Sequence, residues 1–127
     1  MPKFRVWLKE GECIKDVHSI NFEEETVQCI ENTIFIRTDS FEDVVLMQST
    51  GLCDKRGNEI FEGDIVKNSY GEIGYIKHSI YTFVLAKKKE CEWREFYLHG
   101  IGAGSPFEVL GNIHEHSYLL DNGGQQQ

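Results

Sequence analysis

The chain has 127 residues, with 40% hydrophobic and 27% charged side chains and a formal charge of −8. That length fits one domain, or a domain with a small appendage, and buries enough surface for a core without metal or disulfide staples. Both parts are acidic, −5 over residues 1–50 and −3 over residues 51–127, so the overall field repels phosphate backbones and disfavours a dedicated nucleic-acid binder.

The opening alternates. Phe4, Val6 and Leu8 fall on one face and Arg5, Trp7 and Lys9 on the other, the period of a half-buried strand. Glu10-Gly11-Glu12 reads as a turn in which Gly11 takes the positive φ, and Cys13–Ile20 as the returning strand. After the acidic connection 21–25, Thr26–Ile30 and Thr33–Thr38 are rich in β-branched residues and flank Glu31-Asn32, a second hairpin signal. Asp39-Ser40 suits the start of a helical turn over Phe41–Val44, with Glu42 and Asp43 at its N-terminus, and Val44–Met47 resumes a strand.

The stretch 50–66 is dense in turn residues. Asp54-Lys55-Arg56-Gly57 fits a type I turn followed by a left-handed glycine, and Glu62-Gly63-Asp64 a second bend. Short strands then follow at Ile65–Asn68, Glu72–His78, Tyr81–Lys87, Trp93–His99 and Glu108–Ile113. Five short strands with brief turns predict a small, strongly curved barrel. His114–Leu120 is a closing helical turn, and residues 121–127 are expected to fray. The expected organisation is an N-terminal β-hairpin extension over 1–46, a barrel over 47–120 and a tail over 121–127. No run of apolar residues is long enough for a membrane span, Met1–Arg5 leads into no secretory signal, and Cys13, Cys29, Cys53 and Cys91 form no C-x-x-C pair. A cytoplasmic protein with reduced thiols is expected.

Four groups of residues have the chemistry of a site. Asp54, Glu59, Glu62 and Asp64 are acids that suit a divalent cation or acid–base work, but Asp54 and Asp64 sit where turns need them, and Glu59 and Glu62 read as exposed strand positions. His114, Glu115 and His116, with Cys91 and His99, are zinc-type ligands without supporting spacing. Cys91 with a histidine is a thiol dyad lacking an elbow motif. Lys87, Lys88, Lys89, Trp93 and Arg94, beside Phe96 and Tyr97, mix charge and aromatics as single-strand-binding barrels do; the plainer reading is a hairpin tip whose aromatics build the core. The glycine-rich run Gly100–Ser105 lacks the strand–loop–helix setting of a phosphate loop. No catalytic residue, metal ligand or cofactor is expected.

Three blocks carry a resemblance. Lys3-Phe4-Arg5-Val6-Trp7 opens the chain, Leu46 through Val66 forms a long centre (L-M-Q-S-T-G-L-C-D-K-R-G-N-E-I-F-E-G-D-I-V), and Glu108-Val109-Leu110-Gly111-Asn112-Ile113-His114-Glu115 closes it. Together they resemble the YopX family, small proteins of phages and prophages of Gram-positive bacteria. Ser117 stands where the family commonly has proline. The resemblance implies a mainly β fold with an SH3-like barrel in the C-terminal half, and it supplies no catalytic residues. The expectation is therefore a non-enzymatic accessory protein that binds protein, through self-association into a homo-oligomer or with a phage or host protein. The alternative is a nucleic-acid-binding small β-barrel using Lys87, Lys88, Lys89, Trp93 and Arg94.

Overall fold

The computed structural model describes residues 3–32, 36–79, 82–89, 92–98 and 107–121. The chain is mainly β and divides into two compact units, residues 1–49 and 50–127.

In the first unit, β1 (Phe4–Leu8) pairs antiparallel with β2 (Cys13–Asn21) and with the first part of β5 (Val44–Cys53). β2 continues to β3 (Thr26–Ile30), and β3 to β4 (Ile36–Ser40), giving the order β4-β3-β2-β1-β5. Val6, Leu8, Val27, Cys29 and Val44 form the core, with Cys13, Val17, Ile20, Phe41 and Leu46 against it. The N-terminal part is therefore more than a hairpin extension, because it holds five strand segments and a core of its own. β1 also departs from simple alternation. It buries Trp7 (8% exposed) as well as Val6 and Leu8.

The first turn is built differently from the expectation. Glu12 holds the left-handed position at φ 50°, and Gly11 is not among the positive-φ residues. Between β4 and β5 a single 3₁₀ turn, Phe41–Asp43, is capped by Ser40, whose Oγ accepts from the Glu42 amide at 3.2 Å. It stays short because Val44 is already extended, as β-branching favours.

β5 is longer than its apolar run suggested. It continues through Gly51 at φ 80° to Cys53, and in the second unit its end neighbours the short β6 (Glu59–Phe61). There β7 (Asp64–Lys67), β8 (Ile73–His78), β9 (Phe83–Lys89) and β10 (Glu92–Tyr97) form a meander, and β11 (Glu108–Asn112) returns beside β7. The order is β10-β9-β8-β7-β11. Among the described residues the ladder stays open, with β10 and β11 as its edges, and is not a closed barrel. Ile60, Val66, Ile76, Leu85, Leu98 and Phe107 form this unit's core, with Leu52, Phe83 and Val109 against it. A four-residue helix α1 (Tyr118–Asp121) packs beside β8. No helix among the described residues is long and apolar enough to cross a membrane. Of the tail expected to fray over 121–127, Asp121 ends α1 and residues 122–127 lie outside the described residues.

Gly74 in β8 marks the closest approach of backbones. A Cβ built there would stand 2.5 Å from the Ala86 carbonyl oxygen of β9 and 2.9 Å from Leu85 Cδ1. Gly74→Ala is expected to destabilise the protein by about 1–3 kcal/mol through overpacking. Glu12→Gly, which relieves a left-handed side-chain residue, should instead raise stability by up to about 1 kcal/mol. Urea unfolding of both variants checks the opposite signs.

Candidate functional site

Two acids of the central stretch, Asp54 and Asp64, are occupied by backbone. Asp54 is 4% exposed. Its Oδ1 accepts from the amides of Arg56 (2.9 Å) and Asn58 (2.8 Å), which closes the turn. Its Oδ2 accepts from the Val109 amide of β11 at 3.0 Å and from Asn58 Nδ2 at 3.3 Å. These four bonds use the whole acceptor capacity of a carboxylate. The Asp54 amide in turn donates to the Asn58 carbonyl at 2.7 Å, and Gly57, at φ 88°, donates to the Asp54 carbonyl at 3.0 Å. Asp64 is 1% exposed and accepts from the Phe61 amide at 2.8 Å, holding the Glu62-Gly63 bend. Glu59 and Glu62 are half-buried rather than exposed, and Glu62 lies in the bend beyond β6.

Burial alone would raise the Asp54 pKa. The amides of Val109, Asn58 and Arg56 outweigh it and hold the carboxyl below its ordinary value of 3.8.

The histidine cluster is likewise a turn. Asn112, 5% exposed, ends β11 and accepts on Oδ1 from the amides of His114 (2.9 Å) and Glu115 (3.0 Å). Its Nδ2 donates to Glu115 Oε2 at 2.7 Å, and its amide donates to His116 Nδ1 at 3.1 Å. His116 lies against Gly111, where any Cβ would run into its ring. Glu115 and one nitrogen of His116 are thus committed to the turn. Among the described residues, no three His, Cys, Asp or Glu side chains converge on a metal-binding position. Cys91, His99 and the run Gly100–Ser105 lie outside the described residues.

Cys13, Cys29 and Cys53 are free thiols. Cys29 is buried, and burial followed by the charge of Asp39 pushes its pKa up to about 11. Such a thiol is protonated at neutral pH and is a poor nucleophile.

The β9–β10 hairpin carries the remaining residues and divides them between two faces. Arg94 stands opposite Lys87 and Trp93 opposite Lys88, so alternation sets Lys87 and Arg94 on one face and Lys88 and Trp93 on the other. Lys87 Nζ is bound to Glu72 Oε1 at 2.5 Å and lies 4.5 Å from the centroid of the Phe96 ring. On the same face Arg94 is 3.6 Å from Glu92, and Phe96 is 39% exposed. On the other face Lys77 pairs with Glu95, and Trp93 meets Tyr75 edge to face at 5.5 Å and remains 49% exposed. Trp93 and Phe96 therefore reach solvent where the plainer sequence reading placed them in the core. The side chain of Lys89 is outside the description. Much of the apparent basic patch is neutralised in place, and what the hairpin presents is an exposed strand edge with two aromatics.

Over residues 3–121 the sequence matches the family of the YopX protein. The chain belongs to the YopX family. Among solved structures it is similar to the crystal structure of protein EF1440 from Enterococcus faecalis, with a TM-score of 0.66 and 28% identity, covering 94% of this chain and 98% of that one. No curated protein matches it. In this YopX-family chain the long central block is thus spent largely on turns: Asp54, Gly57, Gly63 and Asp64 all serve backbone geometry.

One group escaped the sequence reading. Lys55, Lys67 and Tyr70 line a hollow beside Glu108. The sequence signal was present in Asn68-Ser69-Tyr70-Gly71, a turn that sets an aromatic at its tip.

The depressed Asp54 pKa has a pH consequence. Its contribution to stability is complete above the unfolded carboxyl pKa of about 3.9 and is lost as pH falls through the lower folded value. Asp54→Asn leaves a buried amide without its acceptor and should cost about 1–3 kcal/mol at pH 7. The gap between wild type and variant should narrow below about pH 4. Urea titrations at pH 7, 5 and 3 measure that gap.

Proposed function

We propose that this YopX-family protein is a non-enzymatic phage or prophage accessory module that works in the host cytoplasm by binding protein, first of all a second copy of itself. The observation that carries the reading is β10. It is an edge of the second unit's sheet, its described side chains Glu92 to Phe96 are all exposed, and no described strand pairs with its outer side. An open edge with exposed aromatics is a template for strand addition. The assignment of buried acids to turns supports the non-enzymatic part. The order of β7 to β11, a four-strand meander with the fifth strand returning to the first, supports an SH3-like reading of this unit.

The charge pattern selects a register. A two-fold antiparallel pairing that preserves the sheet faces sets one residue opposite its own copy. Centred on Arg94 or Glu95, it brings like charges together. Centred on Trp93, it sets the two indoles side by side and places Glu92 opposite the partner's Arg94, twice. Cross-strand pairs of opposite charge stabilise a ladder, and like charges directly opposite destabilise it.

Light scattering behind size exclusion tests the register. The wild type should assemble with rising concentration. Arg94→Glu and Glu92→Arg should each shift the protein to monomer without changing its circular dichroism, since both side chains are exposed. The double swap Glu92→Arg/Arg94→Glu should restore assembly. A wild type that stays monomeric at high concentration, or single swaps that assemble like wild type, would contradict the proposal.

A further inference from the structure

At the other end of the same sheet, two turns flank the β7–β11 pair. The first, residues 54–58, is fastened by Asp54 to Val109 and by the Lys55 amide to the Phe107 carbonyl at 2.8 Å. It delivers Lys55 and Arg56 beside Glu108. The second follows β7. Asn68 Oδ1 accepts from the amides of Tyr70 (2.9 Å) and Glu72 (3.0 Å), and Gly71 takes φ 82°. This turn holds Tyr70 at its tip, 86% exposed. Lys67 stands directly opposite Glu108 in the ladder. Lys55, Lys67, Ser69, Tyr70 and Glu108 line one hollow of about 620 Å³, within the range of small-ligand sites.

The charges in this hollow do not balance. Arg56 Nη2 lies 3.0 Å from Glu108 Oε2 and neutralises that carboxylate. Lys55 reaches the same group only at 3.6 Å, and Lys67 has no ion pair among the described residues. The neighbouring carboxylate of Glu72 is taken by Lys87. Glu108 thus faces Arg56, Lys55 and Lys67, a local surplus of two positive charges at the side of an exposed aromatic ring, in a chain whose net charge is −8. A phosphate monoester carries about −1.5 to −2 at neutral pH and accepts three or more hydrogen bonds, the counterpart of that surplus. A nucleobase stacks on a tyrosine face without sequence preference.

We infer that the hollow between the 54–58 and 68–72 turns is a binding site for a nucleoside 5′-monophosphate group, the phosphate held by Lys55 and Lys67 and the base stacked on Tyr70. The same chemistry comes from a free nucleotide or from the phosphorylated end of a single strand. The site is separate from the β10 edge, and it stands or falls independently of self-association.

Titration calorimetry with AMP, and fluorescence anisotropy with a labelled oligo(dA) bearing a 5′-phosphate, both at low ionic strength, test it. Saturable binding of AMP assigns the free nucleotide; binding of the oligonucleotide alone assigns the strand end. In either case adenosine without phosphate should fail, and rising salt should weaken binding. Tyr70→Ala, at an exposed turn tip, should lower affinity about five- to hundredfold, the range of one lost base stack. Lys67→Gln should also weaken binding, and Lys77→Gln, four residues along β8 from the Ile73 that pairs with Lys67, should leave it unchanged. The proposal is overturned if neither probe binds, if Tyr70→Ala and Lys67→Gln bind as wild type, or if Lys77→Gln abolishes binding.

Discussion

The second unit depends on one buried carboxylate. Asp54 closes its own turn and also accepts the amide of Val109, a residue 55 positions later in the chain. A local turn and a long-range strand are thereby tied through a single side chain. The arrangement suits an anion: backbone donors aimed at a buried carboxylate are charge-assisted and stronger than neutral bonds, and they compensate the cost of burying the charge. The same bond sets the end of β11 against β7, where the register shifts between Val109 and Gly111.

Surfaces follow from that constraint. With Asp54 and Asp64 turned inward, the two proposed surfaces lie at the two edges of the sheet. At one edge the meander runs out at β10, where Trp93 and Phe96 reach solvent on opposite faces. At the other the Asp54 and Asn68 turns hold Lys55, Arg56 and Tyr70 around Glu108. The family block from Leu46 to Val66 is then intelligible as an instruction for chain geometry, with functional chemistry carried by residues beside it or outside it.

Local features were legible in the sequence where a short-range rule governs them. The strand at Phe4–Leu8, the Ser40 cap and the Asp54–Gly57 turn follow from alternation, a hydroxyl acceptor and a positive-φ glycine. Other features were decided at a distance. Trp7 is buried on the face opposite Phe4, Val6 and Leu8, which no alternation of six residues can foretell. The stretch from residue 50 on read as turns, yet β5 passes through Gly51 to Cys53. Glu12 rather than Gly11 took the left-handed position, so the glycine was a misleading cue. The run Lys87-Lys88-Lys89 looked like one basic patch, but alternation separates its neighbours and Glu72 captures Lys87 from β8's leading turn. The cations around Glu108 come from residues 55, 56 and 67 and are gathered only by the turns and the ladder.

The central claim is that Asp54 is a structural anchor joining the 54–58 turn to β11. Amide hydrogen exchange at Val109, in wild type and in Asp54→Ala, measures that bond directly. The account predicts a protected Val109 amide in the wild type and exchange about ten- to hundredfold faster in the variant, the size expected for losing a charged acceptor. Equal protection in both proteins, or an unprotected Val109 amide in the wild type, would contradict it.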